Sequence, residues 1–274
     1  MITQAEHVFA REEFAVRPDA AVAARTLAIT GGSGGAGKTQ IAVNLAAALA
    51  AMRHRVLLID AHPNAGNAAL MLGVRTPLHL TDVASGRKSL ADVAHEGLCG
   101  VTVAAAFAQP ADLAHLPPWQ RERLARGLAA AEFDFIVIDA PLDALDILAE
   151  ELEPIIVCTP EPASLAGAYS VFKQIARQRP GSRAKLLVNM ADDEATERVY
   201  LAVAAISRRF LGTAPEYGGH VPADPAVEQA CRRRAPFVVE FPDSPAGSAV
   251  RAIAARFCRS ALRRHESWIH QQGM

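Results

Sequence analysis

A three-layer α/β fold, with a doubly wound, mostly parallel sheet of about seven to eight strands, is predicted by three observations. Short apolar runs alternate with helix-forming runs along most of the chain, a glycine-rich loop joins the first strand to the first helix, and two of the apolar runs end in aspartate. Strands buried on both faces read as continuous apolar runs, and the helices between them cover those faces. At 274 residues and 51% apolar, the chain can bury such a core as one large domain.

The first strand is Leu27-Ala28-Ile29-Thr30. Gly32-Ser33-Gly34-Gly35-Ala36-Gly37-Lys38-Thr39 follows, a complete G-x-x-x-x-G-K-T loop, and the helical run Ile41 to Leu49 comes next. In that pattern the backbone N–H groups curl around phosphates, Lys38 reaches the β and γ oxygens, and Thr39 places a hydroxyl on Mg²⁺. The start of the helix adds the positive end of its dipole. Gly34, Gly35, Ala36, Gly37, Lys38, Thr39 and Gln40 therefore form the expected cradle for a nucleoside triphosphate. A glycine-rich turn ahead of an alanine-rich helix is the bland alternative, and the strand before the loop counts against it.

Further strands are read at Arg55–Asp60, Gly100–Ala104, Phe133–Asp139, Pro154–Cys158 and Ala184–Asn189. Asp139 ends a run of five apolar residues out of six, the Walker B pattern, where a carboxylate holds Mg²⁺ directly or through water. Asp60 ends the second strand in the same way, and strand carboxyl ends face the ligand crevice in sheets of this kind. Asp139 could instead serve as a helix N-cap at the strand exit. Thr39, Asp60 and Asp139 are the expected metal ligands, and His62 is a weaker candidate because only Asp60 shares its loop.

Composition narrows the function classes. A net charge of −1 gives no overall pull toward nucleic acid, so direct DNA binding is not expected. Cys99, Cys158, Cys231 and Cys258 form no C-x-x-C pattern and are expected to be reduced thiols. Residues 1–19 contain no apolar h-region, and no stretch reaches the length of a spanning helix, which leads us to expect a cytoplasmic protein with at most peripheral membrane contact. The domain reading is a leader over 1–24 with a short helix from Gln4 to Phe14, a nucleotide-binding domain over 25–247, and a basic amphipathic helix over 248–274.

The sequence resembles the MinD/ParA group of deviant P-loop ATPases and, within it, the FlhG/FleN regulators of flagellar number. The resemblance runs through Thr30-Gly31-Gly32, Val43-Asn44-Leu45-Ala46, Leu58-Ile59-Asp60-Ala61, Leu80-Thr81-Asp82-Val83, Ile138-Asp139, Pro160 to Tyr169, Val188-Asn189-Met190 and Val221-Pro222. It implies ATP or ADP with Mg²⁺ as cofactors, Lys38, Asp60, Asp139 and, as a weak substitute that could accept a proton, His62 as catalytic positions, and Asn189 with Pro222 as the adenine edge. Two positions depart from the pattern. The lysine that reaches across a sandwich dimer to the partner's nucleotide falls on Ser33, and the switch aspartate that orients water falls on His62. Cationic contacts to transferring phosphate are worth on the order of 10³ to 10⁵ in rate, so slow or absent ATP hydrolysis and a weakened homodimer are expected. Asp139-Ala140-Pro141-Leu142 also lacks the second switch's usual glycine.

The resemblance further implies an FlhF-like GTPase, a FleQ-like transcription activator and the inner membrane surface as partners. Val250, Ile253, Ala254, Phe257, Ala261 and Leu262 make one stripe flanked by Arg251, Arg256, Arg259, Arg263 and Arg264. Such a helix suits anionic headgroups, with Phe257 and Trp268 at the interface, and equally suits packing on the sheet. Thr3-Gln4-Ala5-Glu6 faintly resembles the D-Q-A motif by which some FlhG proteins activate their GTPase, and an ordinary frayed leader is the alternative. The reading is an ATP-binding regulator of flagellar number or placement. A nucleotide-independent binding or scaffold module and a ParA-like partition ATPase are the alternatives.

Overall fold

The computed structural model describes residues 24–62, 67–108, 116–142, 144–145 and 151–272. The leader, with its expected helix Gln4 to Phe14 and the Thr3–Glu6 motif, lies outside them, save for Ala24. Eight strands form one sheet: β1 Arg25–Thr30, β2 Val56–Asp60, β3 His95–Glu96, β4 Val101–Ala105, β5 Phe135–Asp139, β6 Glu153–Cys158, β7 Lys185–Asn189 and β8 Glu216–Val221. Their order is β3-β4-β2-β5-β1-β6-β7-β8, parallel throughout except for the antiparallel β3–β4 pair. The expected doubly wound, mostly parallel sheet is thus what forms.

The helices are α1 Lys38–Ala51, α2 Asn67–Met71, α3 Leu80–Ala84, α4 Leu90–Val93, α5 Pro118–Ala130, α6 Pro162–Gln178, α7 Asp193–Leu211, α8 Pro225–Arg233, α9 Phe237–Glu240 and α10 Pro245–Gln272. Leu27 and Ile29 of β1 point to the face covered by α1, α9 and α10, whereas Ala28 points to the opposite face. That second face carries α3 and α5 over its β2–β5 half and α6 and α7 over β6 and β7. Every residue of β2, β5 and β6 is buried, which is why their sequences read as unbroken apolar runs. In α1, Ile41 to Leu49 are nine consecutive buried residues, because the helix lies between the sheet and α10 and has no solvent face to supply a polar stripe.

Two strands were not legible. Strand β3 is only two residues long, and β8 reads Glu-Tyr-Gly-Gly-His-Val, a pattern without apolar alternation. Its glycines answer a tertiary demand: Gly219 has φ 113°, and a Cβ there would stand 2.3 Å from the Arg256 guanidinium of α10 and 3.1 Å from Ile253. The β7–β8 register shifts at the same level, between Leu186 and Leu187.

Helix α10 begins at Pro245, three residues before the expected Ser248. Ala246, Val250, Ile253, Ala254, Phe257 and Cys258 are buried in the core shared with α1. Arg25 of β1 fastens the helix to the sheet: its Nε and Nη2 each donate to Glu153 at 2.7 Å, its Nη1 donates to the Phe257 carbonyl at 2.5 Å, and its guanidinium stacks 4.8 Å from the Phe257 ring. Phe257, expected as a candidate for a membrane interface, is therefore a core residue. The side chains of Ala261, Leu262 and Trp268 lie outside the described residues. Arg232 and Arg233, in the consecutive run Arg232-Arg233-Arg234, pair with Glu228 and Glu240, as on a solvated helix face.

Candidate nucleotide and metal site

The site grows from the carboxyl ends of the central strands β1, β2 and β5. The chain leaves β1 at Thr30, turns through the glycine loop and enters α1 at Lys38. Gly35 and Gly37 adopt φ 76° and 85°, the left-handed region that side chains disfavour. At Gly37 a Cβ would also stand 2.3 Å from the Asn189 amide nitrogen. The N-cap of α1 is Gly37, so no side chain caps it, and its first turn holds no acidic residue. The opening N–H groups and the positive end of the helix dipole thus lack an internal anion. Such an end is suited to a phosphate or another anion.

Asp60 and Asp139 are aligned partners on the adjacent strands β2 and β5. Asp60, 4% exposed, accepts backbone N–H bonds from His62 at 3.2 Å and Ala68 at 3.1 Å. Burial, and next the Asp139 charge, push its carboxyl above the usual aspartate range. Asp139 is fully buried, and neither of its carboxylate oxygens has a hydrogen-bond partner among the described residues. A buried carboxylate in that condition is costly unless a cation meets it. His62 places Nδ1 3.4 Å from Asp139 Oδ1 and 3.3 Å from the Asp139 carbonyl oxygen. The Asp139 carboxylate holds the His62 imidazole above its ordinary pKa, against the opposing effect of burial.

One ligand atom each from Asp60, His62 and Asp139 lies within 4.8 Å of the others. The sequence offered His62 only Asp60 as a neighbour, because the pairing of β2 with β5, which supplies Asp139, is a tertiary fact. Two carboxylates and the orphaned oxygens of Asp139 suit a hard, oxygen-seeking divalent cation. The residues fit Mg²⁺.

The remaining candidates surround the loop. Lys38 donates from Nζ to the Ser33 carbonyl at 2.7 Å. Gly34 and Gly35 are exposed, Ala36 is buried, and Thr39 and Gln40 are half-buried. Gln40 donates to Cys231 Sγ of α8 at 2.8 Å, and with Thr39, Leu70, Met71, Cys231 and Arg234 it lines a cavity of about 340 Å³. Asn189, expected at the adenine edge, donates to the Ala36 carbonyl at 2.9 Å and so braces the loop itself. Pro222 follows β8 directly and is half-buried, one residue beyond the Asn189–Val221 register pair.

Sequence reasoning missed Ser164 and Gly167 of α6. Ser164 Oγ lies 3.0 Å from Ser33 Oγ, and a Cβ on Gly32 would fall 2.4 Å from the Gly167 carbonyl group. Their only signal was membership in the resembling stretch Pro160 to Tyr169.

Comparison with known proteins bears on the family and the fold. Residues 27–237 match the model of the CobQ/CobB/MinD/ParA nucleotide binding domain. The antiactivator FleN of Pseudomonas aeruginosa is 32% identical over 239 residues, covering 85% of each chain. Among solved structures, MinD in the MinC:MinD cell division complex of Aquifex aeolicus superposes with a TM-score of 0.68 at 24% identity, over 85% of this chain and 95% of the other. The septum site-determining protein MinD of Pyrococcus horikoshii, solved with Mg-ADP, gives 0.67 at 23% identity over 85% and 96%.

Proposed function

Because this chain belongs to the CobQ/CobB/MinD/ParA nucleotide-binding domain family, we propose that it binds ATP and ADP with Mg²⁺ at the loop 31–39 and works as a regulatory switch. The observation that carries this reading is the uncapped N-terminus of α1, with Lys38 beside it, in a site whose floor is the buried Asp60–Asp139 pair. Lys38 and the loop N–H groups hold phosphate oxygens, and Thr39, Asp60 and Asp139 hold Mg²⁺. The ion supplies neutralisation of the phosphate charge. Nucleotide binding then selects a conformer through differential contacts with the phosphates.

Hydrolysis is proposed to be slow or absent. A serine at 33 offers no cation to a facing copy, and His62 stands where a water-orienting carboxylate is expected. The likeness to FleN supports a role in flagellar number or placement, with an FlhF-like GTPase and a FleQ-like activator as partners. Peripheral contact with the inner membrane falls to the part of α10 beyond Cys258, since the first half is core.

Calorimetric titration with ADP and ATP, with and without Mg²⁺, tests the reading beside a phosphate-release assay. Saturable binding abolished by Lys38→Ala is expected; no binding by the parent chain overturns it. A second reading, a nucleotide-independent binding module, draws on Ser33, whose side chain is engaged with its own α6. Light scattering separates the two: an ATP-induced dimer favours the switch, and a monomer under every nucleotide condition favours the module.

A further inference from the structure

We propose that Ser33 and Ser164 form an intrachain latch that preorganises the phosphate loop, with Ser164 as its positioning residue. The inference rests on the nucleotide-binding reading and adds to it how the loop is held.

Four observations make the latch. Ser164, 2% exposed, accepts the Thr159 backbone N–H at 2.9 Å, which fixes its hydroxyl at the end of β6. The same hydroxyl meets Ser33 Oγ at 3.0 Å. Ser33 in turn offers its carbonyl to Lys38 Nζ at 2.7 Å. One residue earlier, Gly32 lies so close to the backbone of Gly167 that a Cβ on Gly32 would stand 2.4 Å from the Gly167 carbonyl and force the loop and α6 apart, while one on Gly167 would crowd Gly32 at 3.0 Å. The two glycines thus set the approach, and the two hydroxyls lock it.

On the other flank, Asn189 pins Ala36 at 2.9 Å. The loop is therefore held from α6 on one side and from β7 on the other, while exposed Gly34 and Gly35 between the pins keep their backbone open to a ligand. A glycine-rich loop loses more conformational entropy on ordering than any other, so pins already present in the free protein remove that cost from binding. Lys38 rests on a carbonyl that the latch positions, within reach of the phosphate site, and exchanges that oxygen for a phosphate oxygen. Ser33 remains on Ser164 when it does so.

The variants Ser33→Ala, Ser164→Ala and the double variant test this by ADP calorimetry and thermal melting. Ser33→Ala leaves the Thr159–Ser164 bond intact, so its melting temperature should fall less than that of Ser164→Ala. Its ADP affinity is expected to fall about three- to tenfold, the range of one hydrogen bond's net contribution. Ser164→Ala strands a buried N–H and should lower the melting temperature, yet weaken ADP by the same factor. The double variant should be no weaker than either single one, since both remove one interaction. Affinities equal to the parent in Ser33→Ala, or losses that multiply in the double variant, overturn the latch. A parent protein that binds no ADP overturns the nucleotide reading instead.

Discussion

His62 stands with its Nδ1 3.4 Å from Oδ1 of Asp139, which brings the two residues just after β2 against the buried carboxylate that ends β5. Beyond that approach neither Asp139 oxygen accepts an aligned hydrogen bond among the described residues, and Asp60 adds a second carboxylate on the neighbouring strand. The pair is arranged for a cation.

Asp139→Asn should therefore remove the Mg²⁺-dependent part of nucleotide affinity, a loss of about tenfold or more. Binding without Mg²⁺ should stay within about twofold of the parent, because the loop and Lys38 are untouched. Calorimetry with ADP in Mg²⁺ and in chelator reads both quantities. Equal losses in the two buffers would place Asp139 outside the metal's reach.

Position 62 should govern turnover more than binding. His62→Asp supplies a carboxylate beside the site, and positioned general bases contribute on the order of 10²–10⁴ in rate. Phosphate release at saturating Mg-ATP should rise about tenfold or more, with ADP affinity little changed. A flat rate in the variant would exclude residue 62 from the water-orienting role.

Acid stability should depend on His54, remote from the site. Its ring meets Phe135 edge-on at 5.0 Å, and burial lowers its pKa from the ordinary 6.5 despite nearby Asp134. With the folded pKa below the unfolded one, the neutral ring's contribution is complete above about pH 6.5 and is lost as pH falls through the folded value. Urea unfolding from pH 7.5 downward should show this decline, and His54→Gln should flatten it. An unchanged slope would refute the assignment.

The four thiols are all free and should react in the order of their burial. Cys231 is exposed and should react first with a thiol reagent at neutral pH, followed by half-buried Cys99. Burial pushes Cys158 up to about 12 and Cys258 up to about 11, so both should react only on unfolding. Counting thiols in native protein and in guanidinium checks the order by mass spectrometry.

Much of the fold was legible because its central elements follow local rules. Six of the eight strands are apolar runs, as the burial of β2, β5 and β6 on both faces requires, and the left-handed turns at Gly35 and Gly37 require the glycines the motif contains. Strand β8 escaped because its residues answer Arg256 and Ile253, far along the chain. The C-terminal stripe was ambiguous for a related reason. Apolar spacing identifies a buried face without naming what buries it, and the tertiary contacts, the core side chains of α10 and the Arg25 bond to the Phe257 carbonyl among them, assign α10 to the sheet.

By itself the sequence determined the phosphate loop and the aspartates that end β2 and β5, because each is a matter of residue type at short spacing, while the departures at Ser33 and His62 came from the family resemblance. Tertiary structure alone decided what those residues face. Strand order sets Asp139 beside Asp60 and beneath His62, and the β1–β6 pairing brings Ser164 to Ser33 across 131 positions of chain. Contacts of that separation depend on which strands become neighbours, a choice made by the burial of whole sheet faces rather than by any local pattern.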